Sequence, residues 1–234
     1  MAIPKIKFYT NHRCPYAHRV NITLRELKLP FEEVVIDLDV PRPQWYLDIN
    51  PQGAVPAIEY SEQDSSHKQI VTESAEIAQF LCEKHPSPLL PALGQPNFAN
   101  RRERMDHFIE VFNTKILRYQ FKVMRASNED EQQTRAKEWA DVMSKELEPL
   151  LEGATPFLAE SKDLTFAEVL AAPFVVRWYI LAKDGVLLPS SFKDSMDALP
   201  NFSRWRQAIE TRESVMGYDE QEVIDTLKKA LNKK

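Results

Sequence analysis

The stretch of this chain with the clearest chemical potential is Arg13-Cys14-Pro15-Tyr16-Ala17. Upstream, residues 3–10 alternate apolar and polar side chains like a short half-buried strand. Downstream, Val20, Ile22, Leu24, Leu27 and Leu29 fit one broad helix face, with Arg19, Asn21 and Arg25 towards water. Cys14 therefore falls where a strand ends and a helix begins, and Pro15 suits the first helical turn, where its missing N–H costs nothing. A thiol at that place faces the positive end of the helix dipole and is biased towards thiolate, the form that attacks sulfur or carbon. Ala17 stands where the second cysteine of a Cys-x-x-Cys pair would be. Disulfide chemistry at Cys14 must then recruit a thiol from elsewhere, and a small thiol ligand is the simplest source.

The elements needed to hold that cysteine come in order along the chain. Residues 31–38 are rich in β-formers and predict a second strand, which makes a βαβ unit with a parallel pair and a right-handed crossover. Prolines 41, 43 and 51 break up a segment centred on Trp45 and Tyr46, and Asn50-Pro51-Gln52-Gly53 is a turn by its residue types. Residues 55–60 and 69–71 predict a hairpin joined by the polar loop 61–68. Thr72-Glu73-Ser74 then opens a helix in which Ala75, Ile77, Ala78, Leu81 and Cys82 recur at helical spacing. Four prolines and Gly94 crowd residues 86–97, which reads as a linker between a domain at 1–85 and another at 98–234.

Beyond the linker the β signal disappears. Met105, Phe108, Ile109, Phe112, Ile116, Leu117 and Phe121 trace a long amphipathic helix, and Trp139 to Leu151 a second that ends at Gly153. Thr165-Phe166-Ala167-Glu168 is a capping box, with Leu164 and Val169 in the staple positions. The helix that it starts is almost wholly apolar, as befits the buried centre of an all-helical domain. Phe202, Trp205 and Ile209, then Val223, Leu227 and Leu231, predict two more helices, the last a solvated amphipathic tail. The fold class is thus α/β followed by all-α.

With 234 residues, 43% hydrophobic and 28% charged, the chain can bury a full core. Its formal net charge of −5 and lack of a basic run argue against a nucleic-acid partner. Two cysteines are too few for a disulfide scaffold, so a reducing, cytoplasmic compartment is expected. No signal-peptide pattern opens the chain, and its most apolar run, residues 169–182, carries Arg177 and is too short to span a bilayer, so no membrane partner is expected.

A βαβ–ββα domain, a proline-rich linker and an all-helical domain together resemble the cytosolic glutathione transferases. Cys14-Pro15-Tyr16-Ala17 is similar to the active-site motif of the omega and related cysteine-containing classes. Val55-Pro56 resembles the family's cis-proline step, Glu73-Ser74 its γ-glutamyl site, and Thr165 to Glu168 the capping box of its helical domain, although the usual acid there is aspartate. Arg42, before Pro43-Gln44-Trp45, stands where an omega-class lysine pairs with the glycyl carboxylate. The resemblance implies an N-terminal thioredoxin-like domain, a homodimer, and glutathione as co-substrate without a metal. It also implies roles. Cys14 would be the nucleophile of a glutathione-dependent thioltransferase, while Arg42, Val55, Pro56, Glu73 and Ser74 would bind the tripeptide. Two rivals remain, namely conjugation or cis–trans isomerisation of an activated alkene, and a non-catalytic binding module.

Other candidates carry less. Cys82, on an apolar helix face, reads as a small core hydrophobe. His12, Cys14 and His18 form a weak metal signal, and no metal is expected. Tyr16, Phe112, Tyr119 and Trp178 are the candidates for the pocket of an electrophilic or disulfide co-substrate, although aromatics at helical spacing more often form core. The scattered glycines cradle no phosphate.

Overall fold

The alternating N-terminal residues form β1 (Lys5–Thr10) in the computed structural model, which describes residues 3–62, 67–91, 94, 97–183, 185, 187–217 and 219–232. α1 (Pro15–Glu26) comes next with Pro15 in its first turn, then β2 (Glu32–Val35) and the short α2 (Gln44–Leu47). β3 (Ala57–Ser61), β4 (Gln69–Thr72) and α3 (Ser74–Lys84) complete the first unit. The strands lie in the order β2-β1-β3-β4. β1 runs parallel to β2, with Phe8 opposite Glu33, and antiparallel to β3, with Phe8 opposite Ile58. As an inner strand β1 is covered, and Phe8, Tyr9 and Thr10 are all buried in sequence. β2 lies at the edge, which is why it is shorter than residues 31–38 suggested and mostly exposed. Residues 63–66 of the expected hairpin loop lie outside the described residues.

The chain divides into two compact units, Met1–Ser87 and Pro88–Lys234. The proline-rich stretch is not all connector. Leu89 is buried and its carbonyl accepts from the Phe166 N–H at 2.7 Å, so this part belongs to the second unit's packing. Residues 92–93 and 95–96 of the expected linker lie outside the described residues.

The second unit is helical throughout its named elements: α4 (Phe98–Val111), α5 (Arg118–Met124), α6 (Glu129–Val142), α7 (Phe166–Lys183), α8 (Ser190–Asp197), α9 (Pro200–Glu210) and α10 (Glu220–Asn232). The long helix expected through Phe121 is interrupted by a five-residue π-helical turn, Phe112–Ile116. Such a turn inserts one residue and rotates the rest of the helix by about 100°. The effect is visible one turn later. Phe121, expected on the apolar face, is 44% exposed, whereas Gln120 is buried and accepts from the Trp178 indole N–H at 3.0 Å. The second expected helix starts earlier than its apolar stripe shows, at Asn128, whose side chain caps the Glu131 N–H, and passes through a second π turn, Met143–Leu147.

α7 is the centre of this unit, with residues 166–182 all buried. Its capping box forms as the sequence predicts in one direction: Glu168 accepts from the Thr165 N–H at 2.8 Å. Glu168 also accepts from the Thr165 hydroxyl, from the Leu158 N–H at 2.8 Å and from the Trp205 indole N–H at 2.8 Å. The Thr165 hydroxyl meets the N–H of Ala167, one residue earlier than the box pattern implies. Burial pushes the Glu168 carboxyl above the usual range, against the pull of these donors.

Glu168→Gln is expected to destabilise the protein by about 2 kcal/mol, because either orientation of the amide sets its NH2 against at least one buried N–H. Denaturant unfolding followed by tryptophan fluorescence checks this. An unchanged midpoint would show that the carboxylate is dispensable.

Candidate functional site

The site is built where β1 meets α1. Cys14 is the residue before the first helical turn, with extended backbone at φ −79° and ψ 117°. Its position is set by a side chain that the sequence analysis passed over, Asn11. The Asn11 amide is buried, donates to the Ile36 carbonyl at 2.9 Å and accepts from the Arg13 N–H at 3.1 Å, while its backbone carbonyl accepts from the Cys14 N–H at 3.0 Å. Arg13 also pairs with Asp39 at 3.1 Å and His12 with Glu33 at 2.9 Å, both tying the turn to the β2 side of the sheet.

The Cys14 thiol donates to the Val55 carbonyl at 3.7 Å. The Val55–Pro56 peptide is cis, as the resemblance implies; Thr155–Pro156, also cis, had no signal of its own. Val55, Pro56, Tyr16, Glu73, Ser74 and Gln52 line one cleft of about 220 Å³. Ser74 is the first residue of α3, and Glu73 precedes it at φ 67°, a backbone region that non-glycine residues rarely occupy and that recurs at functional sites. Exposed Glu73 and buried Ser74 thus present a carboxylate and a hydroxyl at a helix start, in the same cleft as the Val55 backbone.

Arg42 stands elsewhere. Its guanidinium donates to the carbonyls of Gly53 at 3.0 Å, Asp37 at 2.7 Å, Val40 at 2.5 Å and Leu38 at 3.4 Å. The Tyr46 hydroxyl and the Asn50 amide both donate to the Ala54 carbonyl. These three side chains fix the two carbonyls that lead into Val55. Gly53 has a left-handed φ of 64°, where a side chain is strained, and a Cβ there would lie 3.0 Å from Arg42 Cγ, closer than ordinary contact.

Arg19 is the second residue that the sequence analysis misplaced. Expected towards water, it is 4% exposed, and its Nη1 donates to Ser74 Oγ at 3.3 Å. Its guanidinium lies 5.1 Å from the centre of the Tyr16 ring. Burial lowers it to about 10, while Tyr16 and Cys14 oppose that shift. The signal was the face itself: Arg19, Val20, Thr23 and Leu24 recur at helical spacing, so Arg19 and Thr23 lie within the buried stripe.

The remaining candidates part company. Cys82 is buried, and burial pushes its thiol up to about 12. Of the expected pocket, only Tyr16 reaches the cleft. Phe112 and Trp178 stack at 5.7 Å, Trp139 meets Trp178 edge-on at 4.9 Å, and Tyr119 stacks on Trp139 at 6.5 Å. Phe112, Tyr119 and Trp178 are therefore packed core of the second unit, as their helical spacing favours. Among the described residues no cluster of side chains has the makings of a metal site.

Residues 13–84 match the family model described as glutathione S-transferase, N-terminal domain. Glutathione S-transferase DHAR2 of Arabidopsis thaliana is 38% identical over 87 residues, 37% of this chain and 37% of that protein. The chain spans about a third of the length of the curated relatives it matches. The solved structure of glutathione transferase Omega 2C from Trametes versicolor is 25% identical, covers 97% of this chain and 99% of its own, and superposes with a TM-score of 0.75. Rice GST1 in complex with glutathione reaches a TM-score of 0.80 over 100% of this chain and 99% of its own, at 20% identity, a likeness of fold alone. A thioredoxin-like α/β unit followed by a helical unit is thus the fold of this chain. Residues 13–84 are thus similar to the glutathione S-transferase N-terminal domain, and nearly the whole chain shares the fold of solved omega glutathione transferases.

Replacing Arg42 should separate a structural clamp from a ligand contact. Arg42→Ala is expected to lower the stability of the first unit by about 1–2 kcal/mol through the lost hydrogen bonds, and to weaken glutathione binding in step. Calorimetric binding beside denaturant unfolding checks this. Weakened binding with unchanged stability would instead return Arg42 to the ligand.

Proposed function

We propose that the protein is a glutathione-dependent thioltransferase in which Cys14 is the catalytic nucleophile and glutathione the co-substrate. The observation that carries the reading is the inventory of thiols. Cys14 stands at a helix start beside the cleft, and the other cysteine, Cys82, is buried with its thiol held neutral. A disulfide formed at Cys14 must therefore be resolved by a thiol from solution.

That constraint dictates the steps. The Cys14 thiolate attacks the glutathionyl sulfur of a mixed disulfide, forming a Cys14–glutathione disulfide and releasing the other thiolate, which takes a proton from water. A second glutathione thiolate then attacks the glutathionyl sulfur. That step releases oxidised glutathione and regenerates Cys14, so each turnover converts one glutathionyl mixed disulfide and one glutathione into a free thiol and oxidised glutathione. The tripeptide would extend along Val55, adding a short strand through its backbone. The Ser74 hydroxyl and the α3 N-terminus would receive the γ-glutamyl carboxylate, with Glu73 opposite the ammonium. Arg42 would serve by holding the Gly53 turn. The same reading carries a homodimer in a reducing, cytoplasmic compartment, with no metal. Among the described residues no helix is long and apolar enough to cross a membrane.

Incubation with oxidised glutathione is expected to add one glutathionyl group, mapped by mass spectrometry to the peptide holding Cys14 and not to that holding Cys82. Cys14→Ala should lose thiol transfer by at least about 100-fold while keeping its unfolding midpoint. Full reductase activity in Cys14→Ala would sink the mechanism. Retained conjugation of an aryl halide by that variant, with no thiol transfer in the parent, would favour the conjugation reading.

A further inference from the structure

Among the described residues of the first unit, Arg19 alone is a charged side chain with almost no exposure. Burying a guanidinium is unfavourable unless polar or negative groups receive it. Arg19 lies beneath the cleft and not in its lining; two of its neighbours, Tyr16 and Ser74, do line it. A serine hydroxyl has one proton and two lone pairs. With one lone pair of Ser74 Oγ taken by Arg19 Nη1, the oxygen acts as acceptor on its buried side and its proton is left to be donated in another direction. Ser74 also opens α3, so the positive end of that helix dipole acts at the same place.

We propose that Arg19 is a positioning residue that turns the Ser74 hydroxyl, and adds its own positive potential, towards the α-carboxylate of a γ-glutamyl ligand. The inference rests on the glutathione reading above and deepens it. It says which of the ligand's two carboxylates is recognised through a buried cation, and it makes that carboxylate a requirement for binding. Tyr16 covers the guanidinium from the other side, with its ring face towards the charge, an arrangement that suits a planar cation. A lysine cannot reproduce it, because a point ammonium does not donate to Ser74 and lie against the ring in the same way.

The test compares two ligands by calorimetry: glutathione, and 4-aminobutyryl-cysteinyl-glycine, which is glutathione without its α-carboxylate. The parent protein is expected to bind glutathione about tenfold or more tightly than the analogue, and Arg19→Met to lose about tenfold towards glutathione only. Ser74→Ala should weaken glutathione likewise, and the double variant should lose less than the two single losses combined, since both act through one hydroxyl. Arg19→Lys should retain part of the preference for glutathione. Equal loss of both ligands in Arg19→Met, or full additivity with Ser74→Ala, would show that Arg19 merely supports the fold and would overturn the proposal. If Arg19→Met does not fold, Arg19→Lys is judged by the same criterion, with unequal loss supporting and equal loss overturning. A parent that binds neither ligand would overturn the glutathione reading itself, and one that binds both equally would overturn the role given to Ser74; both outcomes differ from equal loss in the variants.

Discussion

One buried amide fixes where the first strand stops and the first helix starts. Asn11 receives the Arg13 N–H and gives its own N–H to the Ile36 carbonyl, so the turn that carries Cys14 is tied across the parallel pair β1 and β2. A cysteine just before a helix derives its chemical character from that placement, since the helix dipole acts within the first turn and falls off beyond it. The rest of the site is set against the same point. Arg42, Tyr46 and Asn50 hold the carbonyls of Gly53 and Ala54, and the next residue's carbonyl faces the thiol. α3 then brings Ser74 to the cleft with Arg19 of α1 behind it. Each contact is modest alone. Together they leave the thiol, one carbonyl and one hydroxyl few alternative positions.

The second unit uses the same device on a larger scale. Glu168 gathers donors from its own helix start, from the segment at Leu158 and from Trp205 on α9. Glutamate in place of the shorter aspartate still reaches back to the Thr165 N–H, and its other oxygen spans to the indole and the Leu158 N–H. A buried carboxylate without those partners would be strongly unfavourable, so the three segments are held in one arrangement.

Much of this was legible in the sequence because the relevant signals are local. The alternation of residues 3–10, the turn chemistry of Asn50 to Gly53 and the capping box at Thr165 each declare an element within a few residues. The strand–helix junction at Cys14 and the helix start at Ser74 are fixed by them. The features that were not legible depend on partners distant in the chain. Arg42 has the right charge for a carboxylate, but four carbonyls from residues 37–53 receive its guanidinium first. Arg19 looked like a solvent-facing cation because periodicity weighs residue type and not the hydroxyl waiting across the helix pair. The π turn at Phe112 shifted the phase of a stripe that is otherwise well drawn, sending Phe121 outwards and Gln120 inwards. Phe112, Tyr119 and Trp178 are aromatic neighbours in core rather than walls of a pocket, a distinction that only packing can make.

The edge strand β2 has a consequence of a different kind. A strand at a sheet's border exposes a row of backbone donors and acceptors to which another chain can add. β2 is four residues long and begins with two glutamates, one facing Lys7 and the other His12. A chain approaching to extend the sheet would meet a template of only four residues, beset by charged side chains already engaged with Lys7 and His12. The strand that anchors the Cys14 turn is thereby also a poor template for a further strand, so the same short segment that ties down the turn closes the sheet on that side.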